Sequence, residues 1–172
     1  YIGGSQGTGQ VSSVNLSSVF SDTYVAYYCL VSVAATSTSS SYLKVKFIDG
    51  SNNVIGSDGD YKYAGYEHTG GSGGAGAAFY HSTDAFLPLH TSAQGNSTNL
   101  PADYHFWFGD LTDSGHKPHI SWQTSAYFHG YDFGWTSGSG ALNSEATPAG
   151  LNFTMGGGNL REYNIRIWGR KA

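Results

Sequence analysis

The sequence predicts an all-β fold: a two-sheet, antiparallel β-sandwich of the jelly-roll type with long end loops. Three observations lead there. Segment after segment alternates apolar with polar residues, as in Tyr42-Leu43-Lys44-Val45-Lys46-Phe47-Ile48, where Leu43, Val45 and Phe47 share one face and the two lysines the other. Gly and Ser interrupt every run before a long helical stripe can form. Short strand candidates recur along the chain with polar turns between them.

The elements follow in order. Residues 1–18 open with Gly3-Gly4-Ser5-Gln6-Gly7-Thr8-Gly9-Gln10 and read as a flexible Gly/Ser-rich arm or linker. A first residue that is not Met points to a processed product or a fragment of something longer, although a chain trimmed for expression looks the same. Residues 19–172 read as one β-sandwich domain, long enough to bury a core. Its first apolar run, Tyr24 to Val31, carries the single cysteine, Cys29, which is expected as a small core hydrophobe with no disulfide. The strand over Leu43–Ile48 runs into Asp49-Gly50-Ser51-Asn52-Asn53, a turn cluster, and Val54-Ile55 then suits a hairpin return.

Further strand candidates are Asp60–Tyr66, Ala85–Leu89, Tyr104–Phe108, His119–Gln123 extending towards Phe128, Leu151–Met155 and Glu162–Trp168. Pro88 and Pro118 suit an edge or a strand end, because proline gives no N–H to a central ladder. The small residues from Thr69 to Ala78 predict a mobile loop, and the stretches 89–99 and 135–150 predict further long loops.

Composition bounds the function. Charged residues are 12% of the chain and aromatics 15%, with 13 Tyr and 25 Gly, against roughly 25% charged in ordinary soluble domains. Such a surface stays wet through hydroxyls and amides and presents flat rings, which suits virion, secreted and carbohydrate-facing surfaces. The net charge of −4 and the lack of a basic run before Arg170-Lys171 exclude a nucleic-acid footprint. No apolar stretch approaches a membrane span, so membrane insertion is not expected.

The closing segment carries a family resemblance. Gly156-Gly157-Gly158-Asn159-Leu160 followed by Glu162-Tyr163-Asn164-Ile165-Arg166-Ile167-Trp168-Gly169 resembles the last strand of a C-terminal β-sandwich module of tailed-phage virion proteins. Tyr42–Phe47 with its Gly/Asn hairpin and Tyr61-Lys62-Tyr63-Ala64 resembles that module's opening, and His116–Gln123 its middle His-Lys strand. The resemblance spans roughly Phe20 to Gly169. It implies a tail-fibre or receptor-binding domain, or a capsid-decoration domain, on the extracellular surface of the particle. It also implies a homotrimer that meets other virion proteins and, as its outside partner, a host-surface glycan. No catalytic residues come with the family. The Gly-rich stretch after Tyr66 and the rich His and Trp content depart from its pattern and leave the ligand open.

Residue chemistry bounds the function from another side. Seven histidines (68, 81, 90, 105, 116, 119 and 129) invite a metal, yet none forms the His-x-His pair that a strand needs to aim two imidazoles together, so no metal and no cofactor is expected. Asp58 and Asp60 lack the Glu that closes an EF-hand loop. No Gly-x-Ser-x-Gly elbow occurs, and the Asp residues sit mostly in turns, where carboxylates serve the backbone. No catalytic residue is therefore assigned and a non-enzymatic domain is expected. A secreted carbohydrate-binding module and a polysaccharide depolymerase are the alternatives.

The aromatics supply the candidate contact residues. Alternation sends Tyr104, Phe106 and Phe108 inward and His105 and Trp107 outward; it likewise sends Tyr163, Ile165 and Ile167 inward and Asn164, Arg166 and Trp168 outward. Phe128-His129-Gly130-Tyr131-Asp132-Phe133-Gly134-Trp135 has the makeup of a sugar-binding loop and equally of a packed β-corner. Candidate binding residues are accordingly Trp107, Tyr131, Asp132, Trp135, Arg166 and Trp168.

Overall fold

A computed structural model describes residues 1–35, 42–69, 76–88, 102–109, 111, 115–127 and 133–172. Among them every regular element is a strand: β1 Gly3–Gly7, β2 Ser13–Leu16, β3 Ala26–Ala35, β4 Leu43–Ile48, β5 Tyr61–Thr69, β6 Gly76–Asp84, β7 Leu87–Pro88, β8 Ala102–Gly109, β9 His119–Tyr127, β10 Phe133–Leu142, β11 Gly150–Met155 and β12 Leu160–Arg170. They build two antiparallel sheets, one of eight strands in the order β1-β12-β3-β8-β9-β10-β5-β6 and one of four in the order β2-β11-β4-β7. This is the two-sheet jelly-roll-type sandwich that the alternation predicts.

Inward residues of both sheets share one core. Leu43, Val45, Phe47, Leu151 and Phe153 of the small sheet meet Cys29, Val31, Tyr104, Phe106, Ile120, Trp122, Ile165 and Ile167 of the large one. Ring contacts cross the interface: Phe47 to Phe108 at 6.2 Å between centroids and Phe106 to Phe153 at 6.3 Å. Each such side chain withdraws apolar surface worth about 1.5–3 kcal/mol from water. Cys29 is fully buried, and burial pushes its thiol far above the ordinary range, so it behaves as a core hydrophobe.

Two tyrosine hydroxyls tie irregular segments to this core. Tyr27 Oη accepts from Ser21 N at 2.7 Å and donates to Ser21 O at 2.6 Å. Tyr61 Oη accepts from Phe47 N at 2.7 Å and donates to Ile55 O at 2.7 Å. The 49–53 turn forms as expected, closed by Asp49 N to Asn53 O at 2.9 Å, with Asn52 in the left-handed region at φ 64°. Its return arm makes a single bridge, Ile48 to Val54, rather than a full strand.

Three expectations need correction. Residues 1–18 are not a flexible arm: β1 pairs with β12, and β2 pairs with β11. The reason is visible in Ser13-Val14-Asn15-Leu16, where Val14 and Leu16 are buried in the core and Ser13 and Asn15 are exposed. Gly4 lies where a Cβ would strike the carbonyl oxygen of Ile165, so glycine permits β1 to close on its neighbour. Of the stretch predicted as a loop from Thr69 to Ala78, Thr69 ends β5 and Gly76 to Ala78 begin β6, while residues 70–75 lie outside the described residues. The predicted 135–150 loop begins instead with most of β10, which lies between β9 and β5. Pro88 does sit on β7, the edge of the small sheet, and Pro118 directly precedes β9. The predicted loop over 89–99 lies outside the described residues.

Candidate functional site

The outer face of the eight-stranded sheet gathers several aromatic residues that the core does not use. Strand register lines them up in rows crossing the sheet. Trp168 of β12 pairs with Tyr28 of β3, and Tyr28 pairs with Trp107 of β8. Inward neighbours on each strand (Ile167, Cys29, Phe106 and Phe108) are buried, so this row faces outward. Tyr28 has the Trp168 ring 5.6 Å away on one side and the Trp107 ring 5.7 Å away on the other. Trp107 is 41% exposed. Trp168 is half-buried, with the Tyr1 ring steeply inclined to it at 6.0 Å between centroids. A depression of about 320 Å³ opens here between Tyr28, Trp107, Trp168 and Arg170.

Polar groups border this platform. His105 stands two residues from Trp107 on the same face; its Nδ1 lies 2.6 Å from the Tyr28 hydroxyl. Burial, and secondarily the neighbouring Cys29, raise the Tyr28 phenol above its ordinary value, so it remains a neutral hydrogen-bonding group. Arg166 is exposed beside Trp168, and its Nε donates to Asn164 Oδ1 at 3.2 Å. Asp103 continues the face and accepts a hydrogen bond from the Ser32 hydroxyl.

A second aromatic patch sits on β10 and β5. Trp135 is 45% exposed and pairs with His68, whose ring lies parallel to it within 4° at 6.2 Å. Tyr66 is 6.4 Å from Trp135, and Phe133 is exposed two residues before it on the same strand. Between the patches run Ser121, Gln123 and Ser125 of β9 and Ser137 and Ser139 of β10. A depression of about 360 Å³ lies among His105, Gln123, Ser125 and Trp135.

Of the six residues singled out from sequence, the structure brings Trp107, Arg166 and Trp168 to one region of one face. Trp135 shares that face in a separate patch, on a strand rather than in the predicted loop. Tyr131 and Asp132 lie outside the described residues. The Phe128–Trp135 segment enters β10 at Phe133, so its last three residues belong to the sheet. Tyr28, Tyr66, His68 and Gln123 are not singled out by the sequence. Tyr28 is readable in principle, since Cys29 and Val31 must face inward if the run is a strand, which sets Tyr28 outward.

The described carboxylates mostly serve local structure. Asp49 accepts from Ser51 N and Asn53 N, both at 2.8 Å, and Asp60 accepts from Ser57 N at 2.5 Å. Asp84 accepts from Ala85 N at 2.9 Å and from the Tyr63 hydroxyl at 3.1 Å. Glu67 is buried on the inner face in register with Thr136 and gives that end of the core a polar character. Among the described residues no three His, Cys, Asp or Glu side chains gather as a group able to hold a metal ion.

No protein-family model and no curated protein matches the chain. Solved structures similar in fold include exo-inulinase from Aspergillus awamori, at 7% identity over 99% of this chain and 29% of that one, with a TM-score of 0.46. Another is congerin II with lactose and MES bound, at 9% identity over 91% and 99% of the two chains, with a TM-score of 0.36. A third is infectious bursal disease virus, Gt strain, at 11% identity over 97% and 38%, with a TM-score of 0.18. This chain thus spans under a third of the inulinase. At these identities and scores the likenesses carry no argument about chemistry.

Proposed function

We propose that this chain is a binding domain of a virion surface protein, of tail-fibre or receptor-binding type, that attaches to glycan through the outer face of its large sheet and performs no turnover. The observation that carries the binding role is the line of rings Trp168, Tyr28 and Trp107, with Trp107 41% exposed on a sheet face. Open aromatic platforms of this kind leave apolar surface in water, a cost that a contact relieves. Sugars suit the platform because their C–H faces stack on rings while their hydroxyls meet a few fixed polar groups. His105, Arg166 and Gln123 are those groups here.

The virion setting, the homotrimer and the contact with other virion proteins rest on the sequence resemblance over residues 20–169. A secreted carbohydrate-binding module would use the same face and differs in its oligomeric state. The test is a glycan array probed with the full chain, paired with molar mass by light scattering. Binding to a defined glycan, reduced at least about tenfold in Trp107→Ala, supports the reading, and a trimer supports its virion form. An array with no binding, or a Trp107→Ala variant that binds unchanged, removes it.

A further inference from the structure

We infer that the two aromatic patches are the two ends of one extended site, and that its ligand is a linear, uncharged oligosaccharide lying diagonally across the sheet. The inference rests on the glycan-binding reading and specifies its ligand class. Register sets the geometry. Trp107 pairs with Ser121, and Ser121 pairs with Ser139. Trp135 lies on the same strand as Ser139, four residues away. The two tryptophans are therefore two strands apart across the sheet and four residues apart along it. That separation is about 16 Å, on the order of three hexose rings end to end. A monosaccharide reaches one patch; a longer chain is needed to touch both.

What lies between the patches identifies the ligand's chemistry. The diagonal from Trp107 to Trp135 crosses His105, Gln123 and Ser125, which border the depression of about 360 Å³. Neither β9, His119-Ile-Ser-Trp-Gln-Thr-Ser-Ala-Tyr127, nor β10, Phe133-Gly-Trp-Thr-Ser-Gly-Ser-Gly-Ala-Leu142, contains a Lys, Arg, Asp or Glu. The lane between the two tryptophans thus offers hydroxyls, one amide and the His105 imidazole but no Lys or Arg, and the Asp103 carboxylate stands in register with Ser125. Arg166 and Arg170 lie only at the Trp168 end, so the lane itself disfavours a chain carrying phosphate or uronate on every unit. It matches a neutral polyol, whose hydroxyls both donate and accept. The His68 ring, parallel to Trp135, supports one end, and the Tyr28 ring, tilted by 46° against Trp107, borders the other, so each end presents ring surface for stacking. Joining two weak contacts through one ligand makes the second contact intramolecular, so affinity climbs steeply once the chain spans the gap.

The experiment titrates the full chain with ladders of β-1,4-glucan, β-1,4-mannan, β-1,4-xylan and chitin oligomers, from monomer to hexamer, with an oligogalacturonate ladder for comparison. Wild type, Trp135→Ala and Trp135→Phe are run alongside one another, with circular dichroism checking the fold and light scattering checking molar mass. In wild type, affinity for one neutral ladder should rise about tenfold or more between dimer and tetramer. Trp135→Ala should lose that rise while keeping its dimer affinity, and Trp135→Phe should keep most of it. Short sugars binding with no gain from length overturns this inference and leaves the parent reading standing, as does a gain that survives Trp135→Ala. A preference for the galacturonate ladder overturns the neutral-ligand assignment. A variant whose molar mass falls while its sugar binding is unchanged makes the patch a contact between copies of this chain and overturns the inference too. If no ladder binds at any length, the glycan reading fails together with it.

Discussion

The Tyr28 hydroxyl and Nδ1 of His105 stand 2.6 Å apart, on neighbouring strands of the open sheet face. With Nδ1 as the acceptor, the imidazole carries its proton on Nε2, and the ring keeps one tautomer and one orientation. Tyr28→Phe retains the ring between Trp107 and Trp168 and removes this bond alone. The expected result is a stability loss of about 1 kcal/mol in urea titration, together with weaker glycan binding because His105 loses its fixed donor. A variant equal to wild type in both measurements would deny the pair any role in the platform.

Tyr61 offers a contrast, because it serves the scaffold and not the open face. Its buried hydroxyl accepts from Phe47 N and donates to Ile55 O, while its ring stacks on Phe47 at 6.3 Å. Burial holds the phenol neutral to high pH. Tyr61→Phe keeps the stack and strands a buried N–H, which should cost about 2 kcal/mol. Denaturant midpoints measure the loss. Sugar affinity at a temperature where both proteins are folded should not change, and a parallel loss of affinity would contradict the separation of scaffold from site.

Asp49 predicts a pH dependence. Hydrogen bonds from the Asn53 backbone and side chain, and from Ser51 N, hold its carboxyl below the usual carboxylate range, against a smaller opposing effect of desolvation. A folded-state value below the unfolded one means the contribution is complete above the unfolded carboxylate range and fades as pH falls through the lowered value. Asp49→Ala should therefore be less stable than wild type at neutral pH, with the gap in thermal midpoint closing on acidification. A gap that is constant with pH, or that widens in acid, contradicts this.

Legibility in the sequence follows one condition: a strand can be read when its inward and outward residues differ in chemistry. Strands β4, β8 and β12 meet it, so alternation alone places Leu43, Val45, Phe106, Ile165 and Ile167 inward, and Trp107 and Arg166 outward, as the structure has them. In β3 the condition is weaker, because Tyr27 and Tyr28 are adjacent and similar yet face opposite ways; only the inward Cys29 and Val31 disclose that the central ring of the platform points outward. In β1, Gly3–Gly7 bonds through backbone and has almost no side-chain pattern to read. The pairing of Trp135 with His68, remote in sequence, belongs to tertiary register, which local periodicity does not encode.

Strand β10 shows the same failure and yields the sharpest test of it. Its Ser-Gly-Ser-Gly stretch has loop composition, yet it lies in mid-sheet because the fully buried Trp122 indole occupies the space a side chain would take. A Cβ on Gly138 would meet Trp122 Cη2 at 2.8 Å and the Ala64 carbonyl oxygen at 2.7 Å. Neither neighbour is a flexible end able to swing away. Gly138→Ala should thus destabilise by about 1–3 kcal/mol, as overpacking does, and should shift the tryptophan emission. Were the segment a loop, the same change would be neutral, or would stabilise by about 0.4–1 kcal/mol through the unfolded chain. Gly50→Ala serves as the internal control, since a Cβ there meets nothing within 4 Å. It should be neutral or slightly stabilising. Opposite signs for the two substitutions are the expected outcome, and a Gly138→Ala protein as stable as wild type would show that the indole does not fill the space above β10.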